Sequence, residues 1–206
     1  MNILVACEFS GKVRDAFIKK GHEAWGCDLL EAEGEYKGNH YQGNILDILA
    51  CQSANQKWDM LIAHPPCTYL ANSGVRWLHD NPERFKHMEN GAKFFRHLLE
   101  SDIPQIAVEN PVIHKYARAI IGRGHDQIIQ PYEFGHNASK QTCLWLRGLL
   151  QLKPTNYYPP RIVNGKKRWG NQTDSGQNKL TPSPIRGKLR SITYSGVAEA
   201  MADQWG

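Results

Sequence analysis

The chain has 206 residues, of which 41% are hydrophobic and 22% charged, and a formal net charge of +5. This length suits one domain with a sizeable buried core, and this composition excludes global disorder. The longest apolar run, Ile3 to Cys7, is far too short to span a bilayer, and the N-terminus lacks the leader pattern of a signal peptide. A cytoplasmic protein with no membrane partner is therefore expected. The cysteines at 7, 27, 51, 67 and 143 are widely spaced, with no Cys-x-x-Cys pair and no histidine at zinc-ligand spacing. That pattern predicts free thiols in a reducing compartment and no metal site.

In chain order the spacing predicts a strand over Asn2–Cys7, a turn at Glu8-Phe9-Ser10-Gly11, and a helix from Lys12 to Lys20 that Gly21 stops. A second strand, His22 to Cys27, ends in Asp28. After a Gly- and Glu-rich connection, Asn44 to Cys51 reads as a polar turn leading into a helix. Trp58 to Ala63 reads as a strand buried on both faces. Apolar residues at Phe85, Met88, Ala92, Phe95 and Leu99 fit an amphipathic helix within Asn81–Glu100. A strand over Gln105–Val108, a helix around Ile113–Ile121, strands near Gln127–Ile129 and Thr142–Leu146, and a short helix over Gly196–Trp205 complete the pattern. Such βα alternation predicts an α/β fold with a mostly parallel, doubly wound sheet and a ligand site at the carboxyl ends of its strands.

Pro65-Pro66-Cys67 stands where the third long strand stops. The prolines end the ladder and fix their own φ, which holds Cys67 in a defined loop at the sheet edge. A free cysteine is most often a small buried hydrophobe, and position alone leaves that reading open for Cys67. Ala107-Val108-Glu109-Asn110-Pro111 is a second apolar run that ends in a carboxylate, an amide and a proline, and an adjacent strand of this kind would bring a carboxyl group to the thiol. In the first βα unit, Gly11 would let the backbone approach a ligand, and Asp28 would accept from ribose hydroxyls. One glycine of the dinucleotide fingerprint suits an adenosine ligand without a pyrophosphate better than it suits NAD.

Positive charge is concentrated between Arg161 and Arg190, where eight basic residues face the single acid Asp174. The segment is rich in Gly, Pro, Asn, Ser and Thr and reads as a long loop or several short strands. A solvated loop is the plain reading. The functional one is a phosphate-binding surface carrying Lys166, Lys167 and Arg168, with Trp169 available to stack on a base.

These residues, in this order, resemble the C5-cytosine DNA methyltransferases, and most closely the small single-domain members found in bacteriophages and prophages. Glu8-Phe9-Ser10-Gly11 is similar to the first cofactor motif, Asp28 to the ribose-binding acid, and Gly43-Asn44-Ile45 to the adenine-contacting turn. His64-Pro65-Pro66-Cys67 is similar to the Pro-Cys nucleophile motif and Glu109-Asn110-Pro111 to the Glu-Asn motif. Phe134 to Thr142 resembles the segment whose basic residue, here Lys140, faces the pyrimidine. Ile192 to Ala202, with Ser195, resembles the C-terminal helix that returns to the cofactor. The resemblance implies a Rossmann-like S-adenosylmethionine-dependent methyltransferase fold. It also implies a cofactor site at Glu8, Phe9, Ser10, Gly11, Asp28, Asn44, Ile45, Pro65 and Ser195, and methylation of cytosine C5 in duplex or single-stranded DNA through Cys67, Glu109, Asn110 and Lys140.

The chain departs from the family in two ways. Thr68 follows the nucleophile where the family has glutamine, and Lys140 and Thr142 stand for paired arginines. The stretch before the C-terminal helix is too short for a target-recognition domain. Residues 1–206 are thus expected to form a single catalytic domain with a basic insert at about 154–190 in that domain's place, and a protein partner is an alternative source of sequence specificity. Two other readings stay open: modification of a free pyrimidine nucleotide or hypermodified phage DNA, and a non-catalytic cofactor- or DNA-binding protein. The adenine and N4-cytosine enzymes require an aromatic residue after the prolines, and that position is Cys67.

Overall fold

The structure is a computed structural model, which describes residues 1–51 and 57–206. Seven strands form one sheet: β1 (Asn2–Ala6), β2 (Glu23–Asp28), β3 (His40–Gln42), β4 (Met60–Ala63), β5 (Gln105–Asn110), β6 (Gln127–Ile129) and β7 (Thr142–Arg147). Their order is β3-β2-β1-β4-β5-β7-β6, with β7 antiparallel to both neighbours and the other pairings parallel. The helices are α1 (Lys12–Lys19), α2 (Ile45–Ala50), α3 (Pro82–Leu99), α4 (Lys115–Ile121), α5 (Arg186–Ser191) and α6 (Ser195–Trp205).

Period-two alternation in the central strands divides the core between the two faces of the sheet. Leu4, Leu61, Ile106 and Val108 point to the face covered by α2, α3 and α4; Ile3, Val5, Met60, Ile62 and Ala107 point to the face covered by α1 and α6. All nine are at most 1% exposed, so the eight larger side chains contribute roughly 1.5–3 kcal/mol of burial each. That is why these strands read as continuous apolar runs. Asn81 caps α3 by accepting from Arg84 N, and Pro82 fills its first turn.

α1 buries two ions. Arg14 is 0% exposed, and its guanidinium pairs with Asp15 and donates to Glu33 O at 3.0 Å. Asp15 Oδ2 accepts from Glu35 N at 2.7 Å, so the pair clamps the loop after β2 onto the first βα turn.

Outside the sheet, β8 (Arg161–Val163) and β9 (Lys166–Arg168) form an antiparallel hairpin closed by Asn164 and Gly165, both at positive φ. Trp169, expected to be free for base stacking, is 7% exposed. Its ring lies on Tyr132 with centroids 4.0 Å apart, and its indole N–H donates to Tyr158 O. It therefore anchors the hairpin to the body, with its face already occupied. Arg168 is similarly committed, to the carbonyls of Lys167, Asp174 and Ser175, while Lys166 and Lys167 are exposed. Among the described residues no helix is long and apolar enough to cross a membrane, and no cluster of three metal-ligating side chains occurs.

Candidate active site

Register brings the candidate residues to one edge. Ala6 pairs with Ala63 and Ala63 with Val108, so the residues that follow, Cys7, His64 and Glu109, form a row at the carboxyl ends of β1, β4 and β5. Pro65 and Pro66 end β4. Asn110 Nδ2 donates to Pro65 O at 2.8 Å, which fastens the proline turn to β5, and Cys67 O starts the next turn by accepting from Leu70 N and Ala71 N. These backbone and amide contacts fix the turn that carries the thiol at the strand edge where Glu109 stands.

His64 Nδ1 lies 2.9 Å from Glu109 Oε2, with side-chain exposures of only 6% and 13%. Burial opposes ionisation of Glu109, but the His64 hydrogen bond and the charges of Lys140 and His64 outweigh it and hold the carboxyl below its ordinary range. In the resting site the partner that favours the ionised carboxyl is His64, the histidine that stands beside the Pro65-Pro66 turn in the sequence.

Cys67 is partly exposed. Burial and the Glu109 charge raise its pKa, while Lys140 and Arg190 pull it back. Burial pushes Cys7 to about 12 and Cys27 and Cys143 each to about 11, so those thiols are inert. Removing the opposing charges should move Cys67 in opposite directions. At pH 8, iodoacetamide alkylation of Cys67 is expected to run about 3-fold faster in Glu109→Gln and about 3-fold slower in Lys140→Gln. Peptide mass mapping reads both, with exposed Cys51 as reference; equal rates in wild type and both variants would contradict this placement of charge.

His64, Glu109, Lys140, Thr142, Thr193 and Tyr194 line a narrow pocket of about 20 Å³. Seven buried side-chain atoms lack a hydrogen-bond partner among the described residues, and four surround this edge: Glu8 Oε2, His64 Nε2, Asn110 Oδ1 and Thr193 Oγ1. Buried polar atoms left unpaired cost about 1–3 kcal/mol each, and such a concentration is the mark of a ligand site.

The first βα turn is built differently from the expectation. Glu8, Phe9 and Ser10 are buried, with Glu8 Oε1 accepting from Ser10 Oγ and from Lys12 N. Gly11 has φ +72°, and a Cβ there would meet the Arg14 guanidinium and Glu33 O at 2.7 Å. The close approach that requires this glycine is therefore made by the clamped loop, not left open for a ligand. Asn44 Oδ1 caps α2 by accepting from Leu46 N, and Ile45 is 3% exposed in the core. Asp28 ends β2 as expected, and Leu29 and Leu30, which sequence reasoning passed over, stand 74% and 50% exposed beside it. The free Oε2 of Glu8, Asp28 and these two apolar side chains fit a ligand with a cationic end, hydroxyls and a flat ring.

Ser195 is exposed at the start of α6. Gly196 N donates to His136 Nε2 at 2.9 Å, and a Cβ at Gly196 would lie 2.0 Å from Phe134 O. The two later motifs are thus packed together, and only glycine fits between them.

No protein-family model and no curated protein matches the chain. Among solved structures, one described as a proposed DNA modification methyltransferase encoded within a prophage (E. coli) is 12% identical, with a TM-score of 0.52 over 78% of this chain and 52% of that one. The bifunctional kinase-methyltransferase WbdD is also 12% identical, covering 78% of this chain and 38% of its own, but its TM-score of 0.39 is too low to carry an argument. The chain spans about half the length of the prophage structure. In its sheet order, its antiparallel β7 and its likeness to that structure, the chain has a Rossmann-like methyltransferase fold.

Proposed function

We propose that the protein methylates cytosine at C5 in DNA, using S-adenosylmethionine and a covalent bond from Cys67 to C6. The observation that carries this reading is the convergence of Cys67, Glu109 and Lys140 at one edge whose buried polar atoms lack partners. The cofactor, when bound, supplies a methyl group on a sulfonium; Glu8 and Asp28 are the acids available to hold it, with Phe9, Ser10, Asn44 and Ser195 near the same strand ends.

Cytosine C5 is a weak nucleophile, so a sulfur–carbon bond at C6 is needed to make C5 electron-rich. Cys67 forms that bond as the C5–C6 π pair moves into the ring and N3 takes a proton from Glu109. Ring entry excludes water and strengthens the burial that already opposes ionisation of Glu109, which brings that proton to the site. Lys140 faces the ring oxygen. Loss of the C5 proton then expels the Cys67 thiolate and returns the N3 proton. A stacked base hides C6, so a duplex would be read by base flipping. The whole chain acts as one catalytic domain in the cytoplasm of a bacterial host. The segment at 154–190, with Lys166 and Lys167 exposed, stands in for a target-recognition domain, or a protein partner supplies specificity.

A second reading has one observation in its favour. Glu109 held ionised accepts directly from the N3–H of a uracil-type ring, which suits a free pyrimidine nucleotide or hypermodified DNA. Nucleoside analysis after incubation with labelled S-adenosylmethionine separates the two. 5-Methyldeoxycytidine from a cytosine strand supports the first reading, and label only in a uracil strand or in a mononucleotide replaces it.

Glu8 gives a test of the cofactor site. Burial raises its carboxyl above the ordinary value of 4.5, so the folded state holds the proton more tightly than the unfolded chain, and ionised Glu8 costs stability once the pH rises through that raised value. Glu8→Gln keeps the acceptor for Ser10 and Lys12. The variant should therefore melt no lower than wild type at pH 8, with any advantage vanishing near pH 4, yet bind S-adenosylmethionine about 10-fold more weakly or worse. Calorimetric titration showing unchanged affinity would remove Glu8 from the cofactor site.

A further inference from the structure

Beyond the Glu109 pocket lies a groove of about 400 Å³, walled by Ser139–Gln141, by the 171–180 segment and by residues 189–194. Lys140, Thr193 and Tyr194 line both spaces, so the groove opens into the pocket. Its cations are Lys140 and Arg190, and no carboxylate lines it. Neither cation has an ion-pair partner among the described residues, whereas nearby Lys188 and Arg161 are paired with Glu33 and Asp174.

Two amides of the groove, Gln172 and Asn178, are committed through their oxygens. Gln172 Oε1 accepts from Trp169 N at 3.1 Å and Asn178 Oδ1 from Leu180 N at 2.8 Å, which leaves their amino groups as donors. Asn171 is used at both ends by the backbone of Ser139, and so fixes the loop that carries Lys140. Two cations and the amino groups of Gln172 and Asn178 thus face a groove that no carboxylate lines, which suits an anionic ligand that can accept hydrogen bonds. The volume is that of a small-ligand site and holds one monomer of a polymer, not a duplex. Lys140 and Arg190 also act on the Cys67 thiol, which places the groove within reach of the reacting centre.

We propose that this groove binds the nucleotide adjoining the target base in a single DNA strand, with its phosphodiester on Arg190 and its base edge offered to the amino groups of Gln172 and Asn178. This deepens, and rests on, the function proposed above. In place of a separate recognition domain the chain would read one neighbouring nucleotide, through residues of the segment before α6.

The test is fluorescence anisotropy of a labelled nine-nucleotide cytosine strand binding to the full chain without cofactor, between 50 and 200 mM salt. Arg190→Gln should weaken binding and reduce the slope of log K against log salt by about 0.7, the contribution of one phosphate on a single strand. Arg190→Lys should keep the slope, and Lys93→Gln, on the exposed side of α3, should leave slope and affinity unchanged. Deoxycytidine monophosphate, as competitor, should bind Arg190→Gln and wild type within about 2-fold, since its phosphate is the target's own. An unchanged slope in Arg190→Gln would overturn the proposal. So would a loss of mononucleotide affinity as large as the loss for the strand, which would assign the groove to the target nucleotide itself. Because binding is read without methyl transfer, strand binding that depends on Arg190 but yields no C5 product keeps the groove and removes the proposed reaction; a C5 product with a slope indifferent to Arg190 does the reverse.

Discussion

Cys67→Ser is expected to lower methyl transfer by on the order of 10³-fold or more while leaving S-adenosylmethionine affinity and melting temperature close to wild type. The argument rests on how little of the fold depends on the sulfur. Cys67 is partly exposed, its turn is held through its backbone carbonyl, and the preceding Pro65 is fastened by Asn110. A serine hydroxyl occupies the same place but ionises far less readily, and neither neighbouring thiol can replace it: Cys7 is pushed to about 12 and Cys143 to about 11. Retained turnover in Cys67→Ser would remove the covalent mechanism.

Glu109→Gln is expected to cost about 10²- to 10⁴-fold in rate, the range for loss of a positioned acid or base. Its structural cost should be small and pH-dependent. The carboxamide oxygen can still meet His64 Nδ1, so the contact at 2.9 Å is kept in weaker form. Because the native carboxyl is held below its ordinary value of 4.5, its ionisation contributes stability that is fully present above that value and is lost as pH falls through the lowered one. Urea unfolding should therefore show the full gap between wild type and variant at neutrality, narrowing as pH falls below 4.5 and closing only below the lowered value. A variant that lost stability equally at every pH, with its rate nearly intact, would make Glu109 a structural residue.

Most of the sheet could be read from the sequence because it depends on local signals. β1, β4 and β5 are short apolar runs buried on both faces, and α3 shows its buried stripe at Met88, Ala92, Phe95 and Leu99. β3 was not read because it is a three-residue edge strand, too short for alternation to show. α5 was not read because it buries no residue, so no apolar stripe marks it. The β8–β9 hairpin could have been found: Asn164-Gly165 is the strongest two-residue hairpin signal, and it lay within a segment otherwise read as loop or short strands.

At the site, residue types and strand ends identified Cys67 and Glu109 as neighbours of one edge, but the charges that govern them arise from long-range contacts. His64 reaches Glu109 only because β4 and β5 are in register, and Arg190 reaches the thiol from a helix that had no signal. Trp169 and Gly11 were read from local context as open to ligands. Each is filled instead by a distant partner, Tyr132 in one case and the Arg14-clamped loop in the other.

The most direct test of the central claim is intact-protein mass spectrometry after mixing the protein with S-adenosylmethionine and a 5-fluorocytosine oligonucleotide, single- and double-stranded, with Cys67→Ser as control. Fluorine at C5 blocks the final proton loss, so the account predicts a trapped species carrying oligonucleotide and methyl group in wild type and none in the variant. Measurable cofactor binding without any adduct to either strand form would contradict it.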